Sequence, residues 1–476
     1  MSISRRTFIK SSAATTVAGL AGGIVNQVSA AMSSPSLTPG PGNKWPGRVA
    51  INFNKKALVG TTPNIDVIKQ MIDDSVLALT GQQTVSAAWK EVFPAGLSLN
   101  SKIAIKVNTA NTSLPGPHWA SVRAITDGLQ AMGINGSTFP AANITIYDMN
   151  FSEGMTKMGY KQENFPGIKL AYTTMADGSD GAMDNHKYSA VLKDADYLIN
   201  VFSPRGHTYP PAGSRFTLGF KSHIGTYASE PVTEGPSLHE KLMQNLCAMN
   251  CTGPVFKKNV LSVCSGIAAL NEGNGPPGEA QNYQTYAKAM DASITSAANS
   301  TTMMLSTDPI AIEMQAIKMM RINKSGKYDV ESLPPYLQSC AGIAGKMEGK
   351  VYNIGIIDEK LMDIRRIING TTSIKKIELS KDSINIGEIV VSSLKGKRTT
   401  FFEFSMPQYR SCKDATAAIC SLDGKIIYKN LIHIGGTINH FSWEHRDYHG
   451  ERIGKGSYIV RITGGGFHIS KQFSLI

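Results

Sequence analysis

Three cations, two histidines and a few carboxylates and amides stand where strands of a sheet would end. Lys106 and Asn108 close the apolar run Ala104-Ile105-Lys106-Val107-Asn108, and Asp148 closes Ile144-Thr145-Ile146-Tyr147-Asp148. Asn200 lies at the end of a third run that leads into Ser203-Pro204-Arg205-Gly206-His207, and Phe220-Lys221-Ser222-His223-Ile224-Gly225 follows soon after. Lys106, Arg205 and Lys221 suit the holding of an anion, because they offer charged N–H donors. Asp148, His207 and His223 are the candidate catalytic groups, supplying acid–base or metal-ligand chemistry. Asn108, Asn200, Glu272 and Asp308 complete the ligand-binding candidates. Glu272 opens Glu272-Gly273-Asn274-Gly275-Pro276-Pro277-Gly278, whose glycines would let backbone N–H groups approach an anion. Two of these residues also have purely structural uses. Lys106 can pair with Asp148 as a buried ion pair, and Asp308 or Thr307 can cap a helix over Ile310 to Met320, with Pro309 at its first position. Glu313 is a further carboxylate one turn along.

The elements that must position these groups are legible as short apolar runs alternating with helical periodicity. Strands are expected over Val49 to Phe53, Ile103 to Asn108, Ile144 to Asp148, Tyr197 to Val201 and Val260 to Ala268. Helices are expected over Pro63 to Leu79, where Ile65, Ile68, Met71, Ile72 and Val76 recur at helical spacing, and over Pro117 to Met132. That alternation predicts an α/β domain with a mostly parallel sheet covered by helices on both faces. In such a sheet ligands bind beyond the carboxyl ends of the strands, which is why strand-end residues lead the candidates. From about residue 391 the pattern changes to short strands with turn signals, such as Asp423-Gly424 between two apolar runs, and predicts a small all-β immunoglobulin-like sandwich over 391–476. The expected division is a signal over 1–30, a linker over 31–47, the α/β domain over 48–368, a second linker over 369–390, and the sandwich.

The chain has 476 residues and a formal net charge of +12, with 48 basic against 36 acidic residues. The basic residues are scattered rather than interleaved with aromatics in a stripe, which excludes a nucleic-acid surface. Ser4-Arg5-Arg6-Thr7-Phe8-Ile9-Lys10, a short weakly apolar stretch and Val28-Ser29-Ala30 form the pattern of a cleavable export signal. The paired arginines resemble the twin-arginine signal, which implies the twin-arginine translocase as a partner during export, folded cargo and a periplasmic or otherwise extracytoplasmic location. No later stretch has the roughly 18 apolar residues of a membrane span, so none is expected after cleavage. Six cysteines are present. Cys247, Cys251, Cys264 and Cys340 precede Cys412 and Cys420, and they match no CxxC run of a zinc or iron–sulfur site. They read mainly as buried thiols or disulfides. A metal or iron–sulfur cluster is the lesser reading, and the identity of any cofactor stays open.

Several segments in fixed order resemble the domain of unknown function 362 family. They are Ala104-Ile105-Lys106-Val107-Asn108, then Tyr147-Asp148 with Met158-Gly159-Tyr160, then Asp194 to Asn200 with the Arg205/His207 loop. Phe220 to Gly225, Glu272 to Pro276 and Ser306 to Ala311 continue the series, so the resemblance spans about residues 48 to 368. The family usually has Lys-Asn where this chain has Lys221-Ser222, and Glu313 stands where an Asp follows the Asp-Pro motif. Ferredoxin-type modules on some relatives imply redox chemistry, and this chain has no such module. The carboxyl-terminal part, through Leu422-Asp423-Gly424-Lys425, Trp443, Asp447, Gly450, Gly456-Ser457-Tyr458 and Lys471, resembles the immunoglobulin-like domain of flagellar-hook-capping proteins. That resemblance implies a spacing, sorting or partner-binding module.

The resulting expectation is an exported protein whose α/β domain binds an anionic small molecule or cofactor at the carboxyl edge of its sheet, with a redox-associated enzyme as one form of it. Two other classes compete. One is a non-catalytic scaffold that docks a protein partner through its β domain. The other is a metal-dependent hydrolase, in which Asp148, His207 and His223 would meet at about 2.0–2.2 Å from one ion.

Overall fold

The strand that begins at Arg48 is apolar at four of its six positions and buried at five, because both of its faces are covered in a sheet. This strand, β1 (Arg48–Phe53), is joined in one nine-stranded sheet by β2 (Ile103–Lys106), β3 (Ile144–Asp148), β4 (Lys169–Tyr172), β5 (Tyr197–Phe202), β6 (Asn259–Gly266), β7 (Thr302–Ser306), β8 (Asp363–Ile368) and β9 (Thr371–Ser373). The spatial order is β9-β8-β1-β7-β6-β5-β2-β3-β4. The computed structural model describes residues 37–38, 40–60, 62–109, 116–148, 152–172, 175–176, 186–206, 216–270, 282–296, 299–323, 326–347, 351–373, 389–393, 400–405, 414–421, 425–434, 438–447, 449–464 and 467–475. The expected signal, the Glu272 loop, His207 and the Asp423-Gly424 turn lie outside these residues.

Strand pairing is parallel between β8 and β1 and throughout β6-β5-β2-β3-β4. It is antiparallel where β7 meets β1 and β6, and where β9 meets β8. The sheet is therefore mostly parallel, as expected, with one reversed strand near its middle. Successive side chains in a strand alternate between faces, and here they divide between two cores. Val49, Ile51, Phe53, Ala104, Leu198 and Phe202 enter one core. Ala50, Ile103, Ile105, Ile199 and Val201 enter the other.

Helices α1 (Ile65–Thr80), α2 (Val85–Val92) and α3 (Trp119–Gln130) bury their apolar residues in the second core. On the first core lie α4 (Gly219–Ser222), α5 (Leu242–Cys251), α6 (Pro309–Ile322) and α7 (Pro335–Cys340). Local chemistry sets the ends of α1. The Asn64 side chain accepts from the Val67 N–H, and Gly81 closes the helix in the left-handed region at φ 77°. Helix α3 starts at Trp119, two residues later than expected, because the His118 side chain caps it by accepting from the Ala120 N–H.

The carboxyl-terminal strands form two further sheets. One holds Ile389–Ser393, Thr400–Ser405 and Ile438–Trp443; the other holds Asp414–Ser421, Ile426–His433, Gly456–Gly464 and Phe467–Leu475. They share a core, in which Phe402 stacks on Phe441 at 4.6 Å and meets Phe473 edge-on at 5.1 Å. The strands Ile389–Ser393 and Phe467–Leu475 are absent from the sequence-based expectation. Thr371–Ser373 extends the main sheet into the stretch expected as a linker. Near the amino terminus, Leu37 and Asn43 are buried, so the described part of the first expected linker packs on the body.

Candidate functional site

The chain leaves β2 for β3 and β4 on one side, then returns to β5 and β6 on the other. The crevice beyond the carboxyl ends of β2 and β5 is thus a topological switch point, the place where open α/β sheets bind ligands. Register sets Tyr147, Lys106, Asn200 and Ser262 side by side on β3, β2, β5 and β6. The segment 219–226 is tied to this row. Asn200 Nδ2 donates to the Gly219 carbonyl at 2.9 Å, and the Tyr147 hydroxyl lies 3.2 Å from Thr226 Oγ1.

The centre of the crevice is a buried ion pair. Lys106 Nζ donates to Asp148 Oδ1 at 2.7 Å and to the Val107 carbonyl at 2.6 Å. Thr109 donates its N–H (2.6 Å) and hydroxyl (2.8 Å) to Asp148 Oδ2. Burial lowers the Lys106 pKa, and the Asp148 carboxylate opposes that shift. Gly225 presses on the pair so closely that a Cβ there would lie 2.9 Å from Asp148 Oδ1 and 3.1 Å from Lys106 Nζ. Arg205 joins from the strand end beyond β5, its Nη2 donating to the Asn108 carbonyl at 2.9 Å. Burial lowers its pKa to about 10 against the pull of Asp148, so it stays charged at neutral pH.

His223 completes the group. Its Nδ1 lies 3.2 Å from Thr226 Oγ1. Burial, with the Lys106 charge, lowers its pKa to about 3. The ring is therefore neutral at physiological pH and acts as a hydrogen-bonding group, not as an imidazolium acid. Its Nε2 is buried with no hydrogen-bond partner among the described residues, as are Ser222 Oγ and Asn200 Oδ1. Buried polar atoms are nearly always paired, so three such atoms around one segment point to a place built for something else to bind.

Lys221 is buried on α4 with no hydrogen bond or ion pair to a described residue, and burial lowers its pKa to about 8. Its charge, second to burial, helps to lower the pKa of His239. Glu313 holds this helix from behind. It accepts from the Tyr336 hydroxyl at 3.0 Å and the Phe220 N–H at 3.3 Å, and burial pushes its pKa up to about 8.

Six candidates therefore gather at the carboxyl edge: Lys106, Asp148, Arg205 and His223 directly, and Asn108 and Asn200 through backbone and anchoring contacts. Lys221 adjoins them. His207 and Glu272 lie outside the described residues. Asp308 does not belong. Because β7 runs against its neighbours, Asp308 emerges at the opposite, amino edge of the sheet. There its Oδ1 accepts from the Ile310 and Ala311 N–H groups, and its Oδ2 from those of Gly47 and Ile356, all within 2.8–3.0 Å. Every lone pair that matters is used by the fold, so it is a cap and clamp rather than a ligand group.

The cysteines also divide. Cys340 hydrogen-bonds to Cys247 and Cys251 where α5 meets α7, and burial raises its thiol pKa. Cys264 lies on β6, and Cys412 falls outside the described residues. Among the described residues no group of three or more His, Cys, Asp or Glu side chains is placed to hold a metal ion, and no helix is long and apolar enough to cross a membrane.

The sequence reading missed a cavity of about 510 Å³ on the same edge, lined among others by Leu58, Pro117, His118, Trp119, Met158 and Ile267. A signal for it was present. Pro117-His118-Trp119 stands at a helix start just after the β2 run, where side chains at a strand's carboxyl end would meet a ligand. Tyr147 stood as a strand residue in the sequence reading, and Thr226 was not singled out.

No family model and no curated protein matches the sequence. Among solved structures, the chain is similar to wild-type OgpA from Akkermansia muciniphila at 13% identity, over 27% of this chain and 38% of that one, with a TM-score of 0.15. It is also similar to an FMN-binding beta-glucuronidase from Facaelibacterium prausnitzii L2-6 at 10% identity, over 92% of this chain and 58% of that one, with a TM-score of 0.20. The chain thus spans less than two thirds of either structure, and likenesses at these scores carry no argument about activity.

Proposed function

We propose that this chain is an exported protein whose α/β part binds an anionic small molecule at the switch-point crevice between β2 and β5. The observation that carries this reading is the burial of Lys106, Asp148, Arg205 and His223 in one group at that crevice. A structural ion pair needs two partners. A second buried cation beside the pair, and a neutral imidazole whose Nε2 has no hydrogen-bond partner among the described residues, go beyond that, and buried ionisable groups with shifted pKa values cluster at functional sites. In this reading Lys106 and Arg205 attract the negative group, His223 Nε2 hydrogen-bonds it, and Asp148 with Thr109 holds Lys106 in place. Lys221 adds positive charge nearby.

Export by the twin-arginine route rests on Ser4 to Lys10, and kinship with the unknown-function 362 family rests on the ordered segments quoted above. The two carboxyl-terminal sheets around Trp443 and Phe402 are read as an immunoglobulin-like module that spaces the α/β part or docks a protein partner.

Calorimetric titration of the mature protein with inorganic phosphate, sulfate and succinate tests the site. At least one should bind. Arg205→Gln should then weaken it at least tenfold in the folded fraction. No binding by any of the three, or equal binding by the variant, overturns the reading.

A further inference from the structure

We propose that the ligand is an amphipathic anion, its charged group held at Arg205 and its apolar, ring-bearing body lying in the neighbouring cavity against Trp119. The proposal rests on the anion-binding reading above and adds the chemical class of the ligand.

Three contacts make the charged group and the cavity one site. A Cβ on Gly116, a residue of the cavity wall, would lie 2.9 Å from Arg205 Nη2 and 2.7 Å from Met158 Sδ. The guanidinium and the thioether thus both lie against Gly116. Tyr160, which feels both Asp148 and Arg205, donates its hydroxyl to the Pro117 carbonyl at 2.7 Å. The Tyr160 ring is itself fixed by stacking on Phe165, with centroids 5.8 Å apart and planes 4° from parallel.

The wall opposite is apolar and preformed. Trp119 rests on Gly159, which has φ 84° and no room for a Cβ beneath the indole, so both backbone and ring require glycine there. Met158 and Ile267 line the same cavity as the indole, and sulfur and aromatic surfaces together favour a planar apolar partner. His118 adds no charge. Its Nδ1 accepts from the Ala120 N–H, so the neutral ring carries its proton on Nε2, and burial keeps it neutral by lowering its pKa to about 4. Lys157, the cation on the rim, is paired with Glu153. The Arg205 charge therefore adjoins a cavity whose described lining is largely apolar and carries no unpaired charge. The volume of about 510 Å³ is in the range of pockets that enclose small organic ligands, well beyond an inorganic anion alone.

The test is calorimetry on the mature chain with two matched pairs, inorganic phosphate with phenyl phosphate and acetate with benzoate. In at least one pair the aryl member should bind at least tenfold tighter than its parent. Trp119→Ala should abolish that gain while leaving the parent anion's affinity unchanged, and Trp119→Phe should retain most of it. Trp119→Leu, which fills more of the space, serves if the alanine variant fails to fold. Equal affinity within both pairs would overturn the proposal and leave the anion site standing. An aryl gain that survives Trp119→Leu overturns it as well, by placing the body elsewhere. No binding by any of the four probes overturns the proposal, and if sulfate and succinate do not bind either, the reading beneath it falls as well.

Discussion

The two edges of the main sheet carry the same kinds of side chain and use them in opposite ways. At the amino edge Asp308 is buried, yet four backbone N–H groups saturate it, and Arg48 pairs with Asp363 at 2.7 Å. A second cavity, of about 440 Å³, opens there beside the exposed Lys102–Asp194 pair. No buried charge lines it. At the carboxyl edge Lys106, Asp148, Arg205 and His223 are buried together, the pKa values of Lys106, Arg205 and His223 are all lowered, and His223 Nε2, Ser222 Oγ and Asn200 Oδ1 lack partners among the described residues. Saturation marks a group spent on the fold. Incomplete satisfaction at a switch point marks one kept for a ligand.

The contrast is broken or sharpened most strongly by Asp308→Ala. It leaves four buried N–H donors without an acceptor and removes a helix cap, so a loss on the order of 4 kcal/mol is expected in denaturant unfolding. Phosphate affinity of the folded fraction should be unchanged. Next comes Lys106→Met, which strands Asp148 and should cost about 3 kcal/mol or more. Adding Asp148→Asn should recover most of that stability, because Thr109 can still donate to the amide oxygen, but should not recover ligand binding. A double variant that binds normally would place the pair with Asp308 as a purely structural device.

A smaller effect is expected on acid stability. Between its ordinary pKa of 6.5 and its folded value of about 3, His223 binds fewer protons in the folded state than in the unfolded one. Its contribution to stability is therefore full above pH 6.5 and falls with acidification, by up to about 1.4 kcal/mol per pH unit. His223→Gln should flatten this acid limb in melting scans from pH 7 to 4, and an unchanged slope would show that the imidazole is not buried neutral. The smallest effect is expected for Asp363→Asn at the amino edge. Its exposed ion pair should be worth about 0.5 kcal/mol, with no change in phosphate binding.

Much of this was legible in residue order. Near-continuous apolar runs located β1, β2, β3, β5 and β6, and the rule that ligands sit beyond strand ends singled out Lys106, Asp148, Arg205 and His223. Asp308 was read both as a helix cap and as a ligand-binding candidate, and no strand was expected over Thr302–Ser306 to show which edge it reaches. The reversal of β7 is decided by how the chain crosses the sheet between Gly266 and Thr302, and nothing local to Thr302–Ser306 encodes it. The cavity escaped notice for a related reason. Gly116 and Trp119 follow β2, Gly159 follows β3 and Arg205 follows β5, and only the pairing of β2 with both β3 and β5 makes the indole, the glycines and Arg205 neighbours.

The most direct test is a phosphate titration, followed by calorimetry, of the wild-type protein and the Lys106→Met/Asp148→Asn double variant at pH 7, with melting temperatures measured alongside. Binding by the wild type and at least a tenfold loss in a variant of near-native stability is the expected result. Equal affinities, or a wild type that binds no phosphate, phenyl phosphate or succinate at all, would contradict the assignment of the carboxyl edge as the functional one.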